Sequence, residues 1–371
     1  MGGLTTEGAD DRTARAALTR LGEPGDSWLG IAVAARGAAA VLADIRSTQS
    51  VEDERLAGYR VRLPALAADA DLAARVGARL LVPGDEEWPA ALSDLGAAGP
   101  LALWALGGGH VADLTMRSVA IVGARACTPY GETVAAELAS SLGDRGWSVV
   151  SGGAYGIDAA AHRGALAVDM ATIVVLACGV DLPYPAAHDG LFRAVRAQGV
   201  VLSELPPGSR PTRVRFLERN RVIAALGRGT VVVEAAIRSG ALNTAGHAER
   251  LSRPVMAVPG PVTSAMSAGC HELVRARAAS LVTDAGDVLD LVGDLGVDAQ
   301  EARRSPVRAA DSLDRPTRRV LEALPKRRHA PPDSITRVAG LPPPVVLRAL
   351  GVLGAAGLAE ARNGRWRRAE G

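Results

Sequence analysis

The chain has 371 residues, 48% of them apolar, with a formal net charge of +2 and three cysteines. That length holds two or three domains, and the apolar fraction is ample for a core. Aromatics make up only 3%, so alanine, valine and leucine must build that core.

The first 25 residues lack the apolar centre of a signal peptide, and no run reaches the ~18 apolar residues of a membrane span. Cys127, Cys178 and Cys270 have no metal-ligand spacing and fit a reducing compartment. The expectation is a cytoplasmic protein with no membrane partner, no metal and no cofactor. Charge is uneven: from Arg315 onward twelve Arg/Lys face four Asp/Glu, a surplus of eight, which leaves the preceding chain at −6. A basic tail on a mildly acidic body points to a nucleic-acid contact or to a merely soluble tail.

In chain order, residues 1 to about 12 are polar and expected to be loose. Helices are expected over Thr13–Leu21, Trp28–Ala35, Gly37–Arg46 and Leu63–Val76, an all-helical (SAM-like) module spanning 1–75. Arg79–Val82 and Leu101–Ala105 read as strands, with a helical turn over Ala90–Leu95 between them. Val119–Val122 is an apolar strand broken at Gly123. Thr128 as N-cap and Pro129 at the first helical position then start a helix, whose apolar face is Val134, Ala135, Leu138 and Leu142. A second strand, Ser148–Val150, runs into Ser151-Gly152-Gly153-Ala154-Tyr155-Gly156-Ile157-Asp158, where Asp158 is placed to cap the following helix.

Alternation continues with strands Thr172–Ala177, Val200–Leu202, Thr230–Val233, Val255–Val258 and Ser280–Thr283. Helices are expected over Ala187–Ala197, Leu217–Leu226, from Ser239 onward, and over His271–Ala279. Leu205–Phe216, stiffened by Pro206, Pro207 and Pro211, is expected to be a loop. Strands alternating with helices imply a doubly wound, mostly parallel sheet over 76–293. Residues 294–312 read as a linker. Beyond it come helices Thr317–Leu324, Ser334–Ala339 and Pro343–Ala356, then a hairpin turning at Asn363-Gly364. That order is winged-helix-like over 313–371, with Arg362, Arg365, Trp366, Arg367 and Arg368 on the wing.

Two Gly-rich loops at the carboxyl ends of parallel strands suit a phosphate site. Gly123, Gly152, Gly153 and Gly156 allow backbone N–H groups to approach an anion, and Arg125 adds a fixed charge; a tight turn without a ligand is the plain alternative. Neither Gly-x-Gly-x-x-Gly after the first strand nor a Walker pattern is present. Tyr130, Tyr155, Tyr184 and Phe216 cluster in or beside these loops, together with Arg125, Arg163, Arg213, Arg215, Arg219 and Arg221. Arginines for phosphates and aromatics for bases are the equipment of single-strand binding; the other reading is core-capping tyrosines and solvated arginines. His162, Glu204, Glu234, Asp158 and Asp181 lie near strand ends, but no Ser-His-Asp or metal cluster assembles by spacing, so no catalytic residue is assigned.

Val122-Gly123-Ala124-Arg125 with Thr128, Tyr130 and Gly131, then Ser151 to Asp158 with Ala161-His162, resemble the DNA-processing protein A (DprA/Smf) family. So do Tyr184-Pro185, Ser203-Glu204, Phe216 with Arg219-Asn220-Arg221, Val233-Glu234-Ala235, Ser239-Gly240 with Thr244-Ala245, and Pro259-Gly260. The resemblance runs from about Leu80 to Leu289. It implies an extended Rossmann-like core that binds single-stranded DNA without known catalysis, as a homodimer that protects incoming DNA and loads the recombinase RecA in natural transformation. By motif position it implies that Gly123, Arg125, Ser151, Gly152, Arg219 and Asn220 line the DNA pocket; the reading of the loops adds Tyr130, Gly153, Tyr155, Arg163, Phe216 and Arg221 to the expected DNA-binding residues. Two departures stand out: Ala186 and Ala187 replace a basic residue near Tyr184-Pro185, and Arg277 falls near a glycine position. The rival readings are a phosphoribohydrolase-like nucleotide-processing enzyme, whose Gly-Gly-x-Gly-Thr-x-x-Glu motif is not intact at Ser239–Thr244, and a duplex-reading transcription regulator built on the C-terminal module.

Overall fold

The computed structural model describes residues 6–47, 54–64, 69–294, 296–298 and 313–369. It divides into two compact units, Met1–Gln300 and Glu301–Gly371. The first opens with five helices, α1 (Thr6–Leu21), α2 (Ser27–Arg36), α3 (Ala38–Arg46), α4 (Glu54–Arg60) and α5 (Asp69–Val76). Residues 6–12, expected to be loose, form the first turns of α1. Of the helix expected over Leu63–Val76, Asp69–Val76 forms α5 and residues 65–68 lie outside the described residues; α4 was not anticipated. These helices close their own core around Leu18, Leu21, Leu29, Val41, Leu42 and Ile45. Trp104 Nε1 donates to Thr19 Oγ1 at 3.2 Å, and Arg20 donates to Ser209 Oγ and the Pro207 carbonyl, tying the helices to the sheet region of the same unit.

The rest of this unit is built from strands β1 (Arg79–Leu81), β2 (Leu103–Leu106), β3 (Ser118–Val122), β4 (Ser148–Ser151), β5 (Thr172–Val175), β6 (Val200–Ser203), β7 (Thr230–Val232), β8 (Val255–Ala257) and β9 (Ser280–Leu281). Helices α6 (Val111–Met116), α7 (Pro129–Gly143), α8 (Ile157–Ala167), α9 (Asp189–Gln198), α10 (Arg213–Leu226), α11 (Gly240–Arg250), α12 (Ala268–Arg275) and α13 (Ala285–Val292) intervene. The nine strands form one sheet in the order β1-β2-β6-β5-β4-β3-β7-β8-β9. β1–β2 and β2–β6 pair antiparallel; every other pair is parallel.

Parallel strands buried on both faces explain the unbroken apolar runs. In β3, Val119 and Ile121 pack with α7 and α8 on one face, while Ala120 and Val122 pack with α10 and α11 on the other. Thr128 caps α7 by accepting from Gly131 N at 3.2 Å, as the sequence predicts. The Leu205–Phe216 loop is shorter than expected. Thr212 Oγ1 accepts from Arg215 N, so α10 starts at Arg213 and carries Arg213, Arg215 and Phe216 on a helix. Neither α6 nor α13 was anticipated; α13 is started by Asp284, whose carboxylate accepts from Asp287 N. Arg277, near the family's glycine position, adopts φ 59° just after α12, so the left-handed turn is kept with an arginine in it.

The second unit comprises α14 (Arg315–Ala323), α15 (Pro332–Ala339), α16 (Pro343–Ala355) and the hairpin β10 (Ala359–Arg362) and β11 (Arg365–Arg368) around its own core. The Asn363-Gly364 turn has positive φ at both residues, 52° and 74°. Most of the expected linker, 299–312, lies outside the described residues. Among the described residues no single helix is long and apolar enough to cross a membrane.

His162 is packed within the core of the first unit, as a histidine on the buried face of α8. Thr172 Oγ1 donates to the Val149 carbonyl, so the Nδ1–H of His162 must donate to Thr172 Oγ1, 2.8 Å away. Burial lowers the imidazole pKa to about 3 from 6.5. Between those values the unfolded chain binds a proton that the folded chain refuses. The stability this group contributes is complete above 6.5 and is lost as pH falls toward 3, at up to ~1.4 kcal/mol per pH unit. Unfolding free energies from denaturant titrations at pH 7, 6, 5 and 4 are therefore expected to decline, and His162→Gln to flatten the decline by about one proton; an unaltered slope in the variant contradicts this.

Candidate nucleic-acid interface

β3 is the strand from which the strand order runs both ways, through β4, β5 and β6 on one side and β7, β8 and β9 on the other. Its chain leaves toward α7 on one face, while the chain leaving its neighbour β7 passes to α11 on the other. Open α/β sheets form a crevice at such a point, outside the carboxyl ends of the strands. Here a cavity of about 600 Å³ occupies it. One wall is Gly123-Ala124-Arg125-Ala126 after β3, another is Arg238-Ser239-Gly240-Ala241 after β7, and α10 supplies Arg213, Phe216, Arg219 and Asn220.

α10 is unusual for a helix bearing so much charge: Arg219 to Leu226 are all buried. Arg219 is 6% exposed. Its Nη1 donates to the Gly152 carbonyl at 2.9 Å and to the Val175 carbonyl, pinning α10 to the ends of β4 and β5. Its Nε is buried without a hydrogen-bond partner. Burial brings the guanidinium down to about 10, against the pull of Asp158. The Phe216 ring lies 5.0 Å from the Arg125 guanidinium and 6.0 Å from that of Arg219. Arg125, Arg213 and Arg238 are exposed, and none has an ion-pair partner among the described residues. The one carboxylate in the lining is Asp158, which burial pushes above the usual carboxylate range despite Arg219, the loop N–H groups and Arg125. The cavity is thus strongly cationic.

The loop glycines do a different job from the one expected. Asp158 does not cap α8; Gly156 occupies the N-cap position, and Asp158 instead accepts from Gly152 N and Ala154 N at 3.2 and 3.3 Å. Glu234, buried at the end of β7, accepts from Thr128 N and Thr128 Oγ1 at 2.8 and 2.7 Å and so fills the start of α7. Two internal carboxylates therefore take backbone donors that the sequence offers to an anion. The glycines are needed for close packing of protein on protein. A Cβ on Gly123 would strike Ile157, on Gly152 the Arg219 guanidinium, and on Gly153 the Phe192 ring. Gly156 has φ +76°, and a Cβ there would run into the carbonyls of Ala124 and Arg125.

Of the expected contact residues the fold brings Gly123, Arg125, Phe216, Arg219 and Asn220 to the cavity. Asn220 Nδ2 donates to Asn243 Oδ1 at 3.1 Å, which steadies the start of α11. Gly152 and Gly153 lie behind the wall. The Ser151 hydroxyl is buried and donates to the Ile121 carbonyl at 2.6 Å. Tyr130 and Tyr155 are surface residues outside the lining: the Tyr130 hydroxyl donates to the Pro259 carbonyl, and Tyr155 meets the edge of His188. Arg163 is exposed on α8, 3.9 Å from Glu132. Arg221 points away from the cavity into a two-pronged pair with Glu204, at 2.8 and 2.6 Å. Sequence reasoning missed Arg238, Ser239, Asn243 and Thr244. A basic residue just before a Ser N-cap after β7 was the available signal.

A family model, DNA recombination-mediator protein A, matches residues 79–293. The chain belongs to that family. It is 48% identical over 370 residues to a putative DNA processing protein DprA of Mycobacterium tuberculosis H37Rv, covering 96% of this chain and 95% of the relative. It is 41% identical over 181 residues to DprA of Streptococcus pneumoniae, 49% of this chain and 64% of that one. The X-ray structure of S. pneumoniae DprA aligns with a TM-score of 0.62 at 30% identity, over 78% of this chain and 98% of that chain. DprA from Helicobacter pylori, described for its single-stranded DNA binding mode, aligns with a TM-score of 0.52 at 28% identity, over 57% and 94%. The match to the DNA recombination-mediator family begins at β1 and ends just after α13, so it contains every wall of the cavity.

Arg221 and Arg238 are both arginines of this region, with opposite expected costs. The Arg221–Glu204 side chains are 3% and 10% exposed. Arg221→Ala leaves a buried carboxylate unpaired and is expected to cost about 3–5 kcal/mol of stability. Arg238→Ala, at an exposed and unpaired side chain, is expected to change stability by less than about 0.5 kcal/mol. Chemical denaturation of the two variants checks this, and equal costs contradict it.

Proposed function

We propose that this chain binds single-stranded DNA in the cavity between the β3 and β7 loops and acts there as a binding protein, not as an enzyme. The observation that carries the reading is the convergence of Arg125, Arg213, Arg219 and Arg238 with Phe216 on one cavity whose single carboxylate, Asp158, is buried. Arginine forks match phosphate oxygens, and a ring face accepts any base. The acidic groups in and beside the cavity have structural work: Asp158, in the lining, holds the Gly152–Ala154 loop, and Glu234, outside it, holds the start of α7. Binding single strands in a cytoplasmic homodimer, protecting incoming DNA and loading RecA onto it extend the same reading. They are supported by membership of a recombination-mediator family and by the H. pylori relative described as binding single strands.

The test is a salt titration of binding to a short labelled single strand. Each lost phosphate contact lowers the slope of log K against log salt by about 0.7 on single strands, so Arg125→Ala with Arg238→Ala is expected to lower it by about 1.4. Phe216→Ala is expected to weaken binding by about 1–3 kcal/mol at an unaltered slope. Unchanged affinity and slope in the double arginine variant overturn the reading, and release of free base from nucleotides by the purified protein transfers it to a nucleotide hydrolase.

A further inference from the structure

The second unit carries a cationic edge of its own. α15 and α16 form a helix-turn-helix: their axes differ by 107°, and Gly340 between them sits at φ 60°. In such motifs the second helix reads base edges with polar side chains. Here α16 is poorly equipped for that. Its exposed face is Leu347 (56% exposed), Arg348, Gly351 and Val352 (47%), with Arg348 as the one long polar side chain.

The basic residues are gathered elsewhere, on the hairpin and the loop before α15. That loop is pinned to β11 at both ends. Ala330 and Trp366 exchange backbone hydrogen bonds of 2.9 and 2.8 Å, and Arg368 N donates to the Pro325 carbonyl at 2.9 Å. The stretch between these anchors is Lys326-Arg327-Arg328-His329, with the first three exposed. It therefore loops out beside β11, its two ends held at Trp366 and Arg368 of that strand. Across the hairpin, Arg362 stands directly opposite Arg365 in the register. Like charges directly opposite destabilise a hairpin, and neither arginine has an ion-pair partner among the described residues. Farther down, Glu360 faces Arg367 and pairs with it, leaving the tip and the loop unneutralised.

We propose that this edge, Lys326-Arg327-Arg328 with Arg362 and Arg365, is a second nucleic-acid site that grips the phosphate backbone without reading sequence. Cations gathered on a hairpin tip and on a loop tethered beside it suit a polyanion, and a phosphate between Arg362 and Arg365 turns their repulsion into attraction. The apolar face of α16 leaves the edge with no means of discriminating bases.

The site does not rest on the cavity reading, so it is tested in the full chain with the cavity silenced by Arg125→Ala, Arg213→Ala, Phe216→Ala and Arg238→Ala. The probes are two duplex oligonucleotides of unrelated sequence and polyglutamate. The silenced chain is expected to bind both duplexes equally and with a steep salt dependence. Adding Arg362→Ala and Arg365→Ala is expected to lower the slope by about 1.8, at about 0.9 per duplex contact, and the affinity on the order of tenfold per contact at 0.1 M salt. Melting of the free protein is expected to be unchanged or higher in that variant, because the like-charge pair is gone. Lys326→Ala with Arg327→Ala, in an exposed loop, gives an independent loss of slope. Absence of duplex binding by the silenced chain, an unaltered slope in both variants, or polyglutamate binding as tight as DNA binding overturns the proposal.

Discussion

The Arg219 guanidinium under the switch point is the constraint on which the rest of the cavity depends. A buried arginine loses hydration that only a good set of acceptors replaces. Two of those acceptors are main-chain carbonyls, of Gly152 and Val175, at the ends of β4 and β5. No carboxylate lies within ion-pair distance of it among the described residues; Asp158 acts on it only through the field. Burial lowers the affinity of Arg219 for its proton and raises that of Asp158 for one, so desolvation outweighs their mutual attraction. The arrangement is held in place by the fold around it, and the Nε stays buried without a hydrogen-bond partner.

That constraint fixes the sequence nearby. Gly152 has no side chain because the guanidinium occupies the space a Cβ needs. Gly123 has none because Ile157, the first residue of α8, comes down onto it. Glu234 joins the two diverging loops: its carbonyl accepts from Ala124 N at 2.7 Å while its carboxylate holds Thr128. The loops after β3, β4 and β7 are thus braced by protein–protein contacts, and the cations they present start from fixed positions. Preorganisation of this kind reduces the ordering cost of binding.

Much of this was legible in the sequence because it rests on periodicity and caps. The apolar runs of β3 to β8, the Thr128-Pro129 start and the Asn363-Gly364 turn each have a local cause, and each appears at its expected place. The errors share one cause, which is that partners across the sheet are invisible locally. Arg221 and Arg219 are two residues apart on one helix, yet one meets Glu204 and the other faces the cavity. Asp158 looks like a cap because it comes after a Gly-rich loop; its actual acceptor role turns on the path of that loop. Arg213 and Arg215 disguise the start of α10 because charge masks the Thr212 signal. Arg238 escaped notice because its loop enters the cavity only through the β3–β7 pairing.

The placement of the two phenylalanines carries the same logic into energetics. In a core built from alanine, valine and leucine, a benzyl group is the largest single apolar contribution available after tryptophan. Phe192 is used that way, fully buried against Gly153. Phe216 is left half-buried on the cavity wall, with Arg125 and Arg219 near its ring and Tyr184 tilted against it at 5.5 Å. Packing alone gives no reason to hold a ring at the mouth of a cationic cavity, where part of its surface stays wet. A ring face presented between guanidinium groups gains its full value once a flat, apolar-faced group covers it and a phosphate meets the arginines. Both features belong to one nucleotide unit, which is why the proposed reading takes a strand, and not phosphate alone, as the ligand of this wall.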